Sequence, residues 1–148
     1  MLEISIPGRE RLRLVHLVCD LNGTLARDGI TAATHGQLDV TRTTLADVLR
    51  SLAPGSSAAA PIDLVRLIAT GDDKHAIIND LGPEQVVALG NGINDVAMLR
   101  SAAPGIAICG SEGMASAIVQ AADVICTDPR DALDLLRYPA RLVATLRA

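Results

Sequence analysis

The chain has 148 residues, enough for one ordinary domain with its own core. Hydrophobic residues make up 49% and charged residues 20%, which excludes an intrinsically disordered chain. A net charge of −4, no basic block beyond a few C-terminal arginines, and a single Tyr with no Trp or Phe argue against nucleic acid as a partner.

Cys19, Cys109 and Cys126 are widely spaced in apolar runs and show no C-x-x-C pattern, so they read as buried core thiols. No apolar run reaches the roughly 18–20 residues that cross a bilayer, and no membrane span is expected. The opening "MLEISIPGRER" lacks the basic start and long apolar core of a signal peptide, so the expected location is the cytoplasm.

In chain order, "LEISI" (2–6) alternates as a short strand, Pro7 and Gly8 turn the chain, and "LRLVHLVC" (12–19) is a second strand, giving an N-terminal β-hairpin. Residues 20–36 are polar and glycine-punctuated, hence loop. "TRTTLADVLRSL" (41–52) places Leu45, Val48, Leu49 and Leu52 on one helical face, and "APGSSAAAP" (53–61) is linker-like. The rhythm then becomes regular. Strands at 62–69, 85–90, 105–109 and 123–127 alternate with helices at 73–82, 94–102, 111–122 and 129–138. Gly82 stops the first of these helices, and Asp128 caps the last, with Pro129 near its start. Continuous apolar strands separated by helices predict an α/β fold, a Rossmann-like parallel sheet with helices on both faces. No repeat and no second domain are apparent, so residues 1–148 read as a single domain with an atypical region at 27–73.

Ligands in such sheets sit beyond the carboxyl ends of the strands. Two strand ends here are rich in polar groups. One is "CDLNGT", ending an apolar run on Asp20. The other is "VVALGNGINDVAML" (86–99), where Gly90 and Gly92 permit sharp turns and Asn91, Asn94 and Asp95 crowd oxygen atoms at a helix start. His16, His35 and His75 have no partner at ligand spacing and read as structural or solvated. "GSEG" (110–113) reads as a strand-to-helix turn.

The pair of landmarks carries a resemblance. "DLNGT" resembles the first motif of the haloacid dehalogenase superfamily, usually D-x-D-G-T. "GNGIND" resembles its fourth, usually G-D-G-x-N-D, and Lys74 lies where the third-motif lysine would fall. The stretch from "ALGNGIND" to "ICTD" is also similar to the end of the P-type ATPase phosphorylation domain. The closest resemblance is to the small soluble P-type-ATPase-like proteins of that superfamily, which carry Asn in both motifs. The resemblance covers 2–25 and 74–147 and is poor at 27–73.

It implies a haloacid dehalogenase core without a substantial cap. It also implies a Mg²⁺-dependent phosphatase or phosphotransferase that forms an aspartyl phosphate on Asp20. Lys74 would neutralise the nucleophile, and a hydroxyl from Thr31, or alternatively Thr70, would hold the phosphoryl group. Mg²⁺ would be held by Asp20, the Asn22 carbonyl, and Asp95 or the Asn91 side chain. Asn22, Gly23, Thr24 and Asn94 are the implied substrate-binding positions. Asn22 stands where the superfamily has its acid/base carboxylate, and an amide can neither protonate a leaving group nor activate water, so slow turnover is expected. The implied substrate is a small phosphate compound or an acyl phosphate. Assembly as a homo-oligomer stays open. The rival readings are a non-catalytic phospho-ligand or regulatory module and an accessory to a P-type ATPase transporter.

Overall fold

The computed structural model describes residues 1–20, 23–25, 64–68 (as backbone) and 73–148. The expectations for a helix at 41–52 and a linker at 53–61, for the sites Asn22, Thr31 and Thr70, and for most of the loop at 20–36 lie outside these residues.

β1 (Leu2–Ile4) and β2 (Leu12–Leu14) form the N-terminal hairpin, with Leu2 opposite Leu14 and Ile4 opposite Leu12. Five parallel strands follow: β3 (His16–Asp20), β4 (Leu64–Ile68), β5 (Val86–Gly90), β6 (Gly105–Ile108) and β7 (Val124–Cys126). Their spatial order is β4-β3-β5-β6-β7. The helices are α1 (Lys74–Leu81), α2 (Val96–Ser101), α3 (Pro129–Arg137) and α4 (Pro139–Leu146).

The alternation of side chains along each strand divides the core in two. Leu17, Cys19, Val87, Leu89, Ile106 and Ile108 face one side, where Leu2, Ile4 and Leu14 of the hairpin meet Leu133, Leu136, Leu142 and Leu146 of α3 and α4. Val18, Val86, Ala88 and Ala107 face the other, against Ile78 of α1 and Met98 and Leu99 of α2. Both faces of β3, β5 and β6 are therefore dry, which is why these strands read as unbroken apolar runs. Local signals set the helix ends. The Asp73 carboxylate accepts from the Ala76 N–H at 3.0 Å to start α1, and Gly82 ends it at φ 87°. Asp128 caps α3 by accepting from the Arg130 N–H at 2.8 Å.

Three expectations need correction, and one helix was missed. The strand expected at 12–19 is two strands, because its first half pairs antiparallel with β1 and its second half joins the parallel sheet. The chain pivots at Val15, whose N–H donates to the Gln85 carbonyl at 2.8 Å. The helix expected at 111–122 is only a 3₁₀ turn, Ser116–Gln120. Its first residues are used in a tight turn in which the Gly113 N–H donates to the Gly110 carbonyl at 3.0 Å. Cys109 is exposed and Cys126 is half-buried, so only Cys19 is a core thiol; Cys109 lies just past Ile108, the last residue of β6 paired with β7. Finally, α4 was not expected. Leu142 and Leu146, four apart, bury its inner face. Among the described residues no helix is long and apolar enough to cross a membrane.

The β5–α2–β6 unit is packed to its limit at Gly105. A Cβ there would lie 2.9 Å from the Leu99 carbonyl carbon, and main chain has little room to yield. Gly105→Ala is expected to lower stability by about 1–3 kcal/mol, as overpacking does. The check is urea unfolding, where the midpoint should fall and the slope should stay unchanged.

Candidate active site

The sheet order places β3 between β4, which follows it in the chain, and β5, which returns to its other side. The crevice of an open parallel sheet lies at such a reversal, beyond the carboxyl ends of the strands. Asp20 is the last residue of β3. Asn91 directly follows β5, and Lys74 is the first residue of α1, whose start lies at the same edge of the sheet.

Three charged side chains meet there. The Lys74 ammonium donates to Asp20 Oδ1 and, at 2.6 Å, to Asp95 Oδ1. Asp20 is 6% exposed, Lys74 4% and Asp95 0%, so the cluster sits in a low-dielectric environment and its members must satisfy one another. Asp95 is held further by main chain. Its Oδ2 accepts from the Asn91 N–H at 2.9 Å and the Gly92 N–H at 2.8 Å, closing the loop after β5 around its carboxylate. Gly90 makes room for this, since a Cβ would fall 2.7 Å from the Asp95 side chain.

A second strand of contacts runs through hydroxyl and amide groups. Thr24 Oγ1 is buried and lies 3.5 Å from Asp20 Oδ2 and 3.3 Å from Asn91 Oδ1. One hydroxyl proton serves one acceptor at a time, so Thr24 links the two as a swivel. Gly23 turns at φ 75°, and a Cβ there would overlap the Asn91 side chain, so only glycine lets the two loops approach.

The arrangement sorts the expected site residues. Asp20, Thr24, Lys74, Asn91 and Asp95 are brought together, with Gly23 beside them. Asn94 is exposed; its Oδ1 lies over Gly92, where a Cβ would be 2.5 Å away. A contact that sequence reasoning missed is Asn91 Nδ2 donating to the Gly113 carbonyl at 3.4 Å. A main-chain carbonyl has no sequence signature, and the glycines at 110 and 113 were the only hint.

Burial on its own pulls the Lys74 ammonium down, but the hydrogen bonds and charges of Asp20 and Asp95 outweigh it and hold the pKa above the ordinary lysine value. A proton held more tightly in the folded state contributes stability in full below the ordinary lysine range. That contribution is lost only as pH climbs through the raised folded value. The Cys19 thiol, beside Asp20 in sequence but facing the core, is pushed up to about 12 by burial and then by the Asp20 charge, so it stays a thiol and takes no part.

Among the described residues no three His, Cys, Asp or Glu side chains converge on a metal position. Mg²⁺ asks for less: one or two hard oxygens from protein, the rest from water and substrate phosphate. The Asp20 carboxylate and Asn91 Oδ1, joined through Thr24, fit that demand. Asp95 has one oxygen on Lys74 and the other on two main-chain N–H groups.

Lys74→Met is expected to cost about 3–5 kcal/mol at neutral pH, because it leaves two buried carboxylates without their counter-charge. The orphaned carboxylates would then bind protons more tightly folded than unfolded, so the deficit should shrink as pH falls toward 5. Denaturant unfolding of both proteins across pH 5–8 checks the size and the sign.

No family model matches the chain. It is 42% identical over 64 residues to the uncharacterized protein MJ0073 of Methanocaldococcus jannaschii, a match spanning 43% of this chain and 69% of that protein. Three solved structures are similar in fold. The 3-deoxy-D-manno-octulosonate 8-phosphate (KDO 8-phosphate) phosphatase of Moraxella catarrhalis, in complex with magnesium ion, phosphate ion and KDO, superposes with a TM-score of 0.58 at 14% identity over 90% of this chain and 94% of that one. A putative HAD superfamily (subfamily III A) hydrolase from Legionella pneumophila gives 0.56 at 18% identity over 89% and 88%. A probable YrbI family phosphatase from Pseudomonas syringae gives 0.56 at 19% identity over 92% and 94%. The chain belongs to one family with the Methanocaldococcus jannaschii protein, and its fold is that of the haloacid dehalogenase (HAD) superfamily.

Proposed function

We propose that the chain is a Mg²⁺-dependent phosphatase or phosphotransferase of the haloacid dehalogenase type, acting through an aspartyl phosphate on Asp20. The observation that carries this reading is the buried Asp20–Lys74–Asp95 cluster at the strand-order reversal. A carboxylate held by a buried ammonium at the mouth of a parallel sheet is well placed as a nucleophile and poorly explained as packing, since a buried ion pair is rarely a net gain in stability.

In the proposed reaction an Asp20 oxygen attacks phosphorus. The new O–P bond forms as the bond to the leaving group breaks, and water later cleaves the acyl phosphate to release inorganic phosphate. Lys74 carries the positive charge that draws the phosphoryl oxygens to Asp20. Asp95 aims Lys74, and the Thr24 hydroxyl steadies the second Asp20 oxygen. The Thr31 hydroxyl, or that of Thr70, and the N–H groups around Gly23 receive the remaining phosphoryl oxygens. Bound Mg²⁺ supplies charge neutralisation of the phosphoryl group. Asn22 offers no proton to the leaving group and no base to water, which lowers both steps by roughly 10²–10⁴-fold each.

The paired amides Asn22 and Asn91 support the finer placement among small soluble P-type-ATPase-like proteins. The magnesium, phosphate and KDO in the Moraxella catarrhalis structure support a metal-assisted reaction on a small phosphorylated substrate. Acyl phosphates suit this chain especially, because their leaving groups need little protonation.

Acetyl phosphate with Mg²⁺ should therefore load wild-type protein with one phosphoryl group, visible by acid-quenched mass spectrometry, and Asp20→Asn should abolish it. Asn22→Asp should shorten the adduct's life and raise turnover of an alkyl phosphate by ~10-fold or more. Absence of an adduct on wild type, together with no gain in the Asn22→Asp variant, sinks the reading.

Mg²⁺ alone should bind with a dissociation constant on the order of millimolar, and a phosphoryl mimic such as beryllium fluoride should tighten it, because substrate oxygens complete the shell. Titration calorimetry with and without the fluoride measures both. No binding under either condition speaks for a non-catalytic module.

A further inference from the structure

Segment 110–115 leaves β6 and folds back toward the loop after β5. Two ties fasten it there, and both end on Asn91. The Ala115 N–H donates to the Asn91 carbonyl at 3.0 Å, and Asn91 Nδ2 donates to the Gly113 carbonyl at 3.4 Å. The same amide also brings Oδ1 to the Thr24 hydroxyl at 3.3 Å and packs against Gly23. One side chain thus links the turn behind Asp20 to the segment after β6, through its acceptor on one and its donor on the other.

Only an amide can fill this place. A carboxylate has acceptors alone, and one of its oxygens would face the Gly113 carbonyl oxygen with no proton between them. Two like dipoles at that distance repel, and the cheapest relief is for the segment to move away. An aspartate at 91 would be the better cation ligand and the worse fastener.

We propose that Asn91 is a positioning residue: its amide fastens segment 110–115 beside the Asp20–Thr24 turn, giving the site a fixed outer wall, and this fastening is gained in exchange for cation affinity. The purpose of the wall rests on the phosphoryl-transfer reading above; the fastening itself does not. Because Gly113 turns at φ 84°, the carbonyl that meets Nδ2 is presented by a conformation few other residues adopt without strain.

The test compares the whole wild-type chain with Asn91→Asp and Asn91→Ala by hydrogen-exchange mass spectrometry on peptides covering 109–116. Both variants should exchange the Gly113 and Ala115 amides roughly 5- to 10-fold faster, as expected for one lost hydrogen bond, and Asn91→Asp more than Asn91→Ala. Peptides from β5 and β6 should keep their protection, and should Asn91→Asp fail that control, Asn91→Ala still decides the fastening. Mg²⁺ calorimetry should split the two variants, tighter by roughly 10-fold or more in Asn91→Asp and weaker in Asn91→Ala. A merely structural residue would move both affinities the same way. Unchanged exchange in both variants, or better protection in Asn91→Asp than in wild type, overturns the fastening. Equal Mg²⁺ affinities, or no Mg²⁺ binding by any of the three, overturn the exchange of affinity for order. A missing adduct on Asp20, together with no gain in Asn22→Asp, would sink the phosphatase reading and leave the exchange result standing.

Discussion

Everything at this site hangs on one ammonium held between two carboxylates. Lys74 contributes the only positive charge among the described buried residues, and Asp20 and Asp95 are two of their three negative or hydroxylic companions, with Thr24 the third. Removing any charged member from water costs several kcal/mol, so none of the three can be buried without the others. The requirement reaches well beyond the cluster. To hold Asp95 the chain wraps two main-chain N–H groups around Oδ2, and to make space it ends β5 on Gly90. To deliver Lys74 it starts α1 at the carboxyl edge of the sheet, with Asp73 as the cap immediately before it.

The sheet supplies what the cluster needs, which is a dry floor and a fixed point of convergence. Leu17 to Asp20 of β3 and every residue of β5 are buried, so the ion pairs rest on a floor closed on both faces. Parallel register brings β3 beside β5, with Cys19 level with Leu89, and leaves Asp20 beside the loop that begins at Asn91. The Lys74-to-Asp20 contact joins residues 54 apart in sequence, and the topology alone makes them neighbours. In water an exposed pair of this kind would be worth ~0–1 kcal/mol. In this floor it becomes an organising constraint.

That division also explains what could be read from residues and what could not. The βα alternation after residue 61 and the two polar strand ends are written in local patterns, so the parallel sheet, Asp20 and the 90–95 loop were legible. Lys74 came from its spacing within a family resemblance, because a lysine ahead of a helix carries no signal of its own. The pivot at Val15 was not legible, since an apolar run looks the same whether it serves one sheet or two. The 3₁₀ turn at Ser116–Gln120 was hidden for the opposite reason: its residues suit a helix, and tertiary context cut it short. Cys109 shows the limit of composition, because its structural cover ended one residue before the apolar run in the sequence did. The tie from Asn91 to Gly113 depends on a carbonyl, which every residue has.

The two amides are best understood together as a matter of charge. Under the proposed reading, in which Asn22 belongs to the site, carboxylates at 22 and 91 as well as 20 and 95 would set four negative groups against one lysine. Such a pocket would lean on a bound cation or on protonation, because like charges crowded in a poorly screened medium repel strongly. With Asn22 and Asn91 the count is two against one, Asp20 and Asp95 against Lys74. The resident charges then come within one unit of balance, and an incoming phosphate meets far less repulsion. Under the proposed reading, the cation is relieved of holding the fold together and arrives to neutralise the substrate. In that reading the same change also removes the acid and base that would speed turnover. Under the proposed reading, such a pocket suits accepting a phosphoryl group and keeping it, which is a different design from one that must release it quickly.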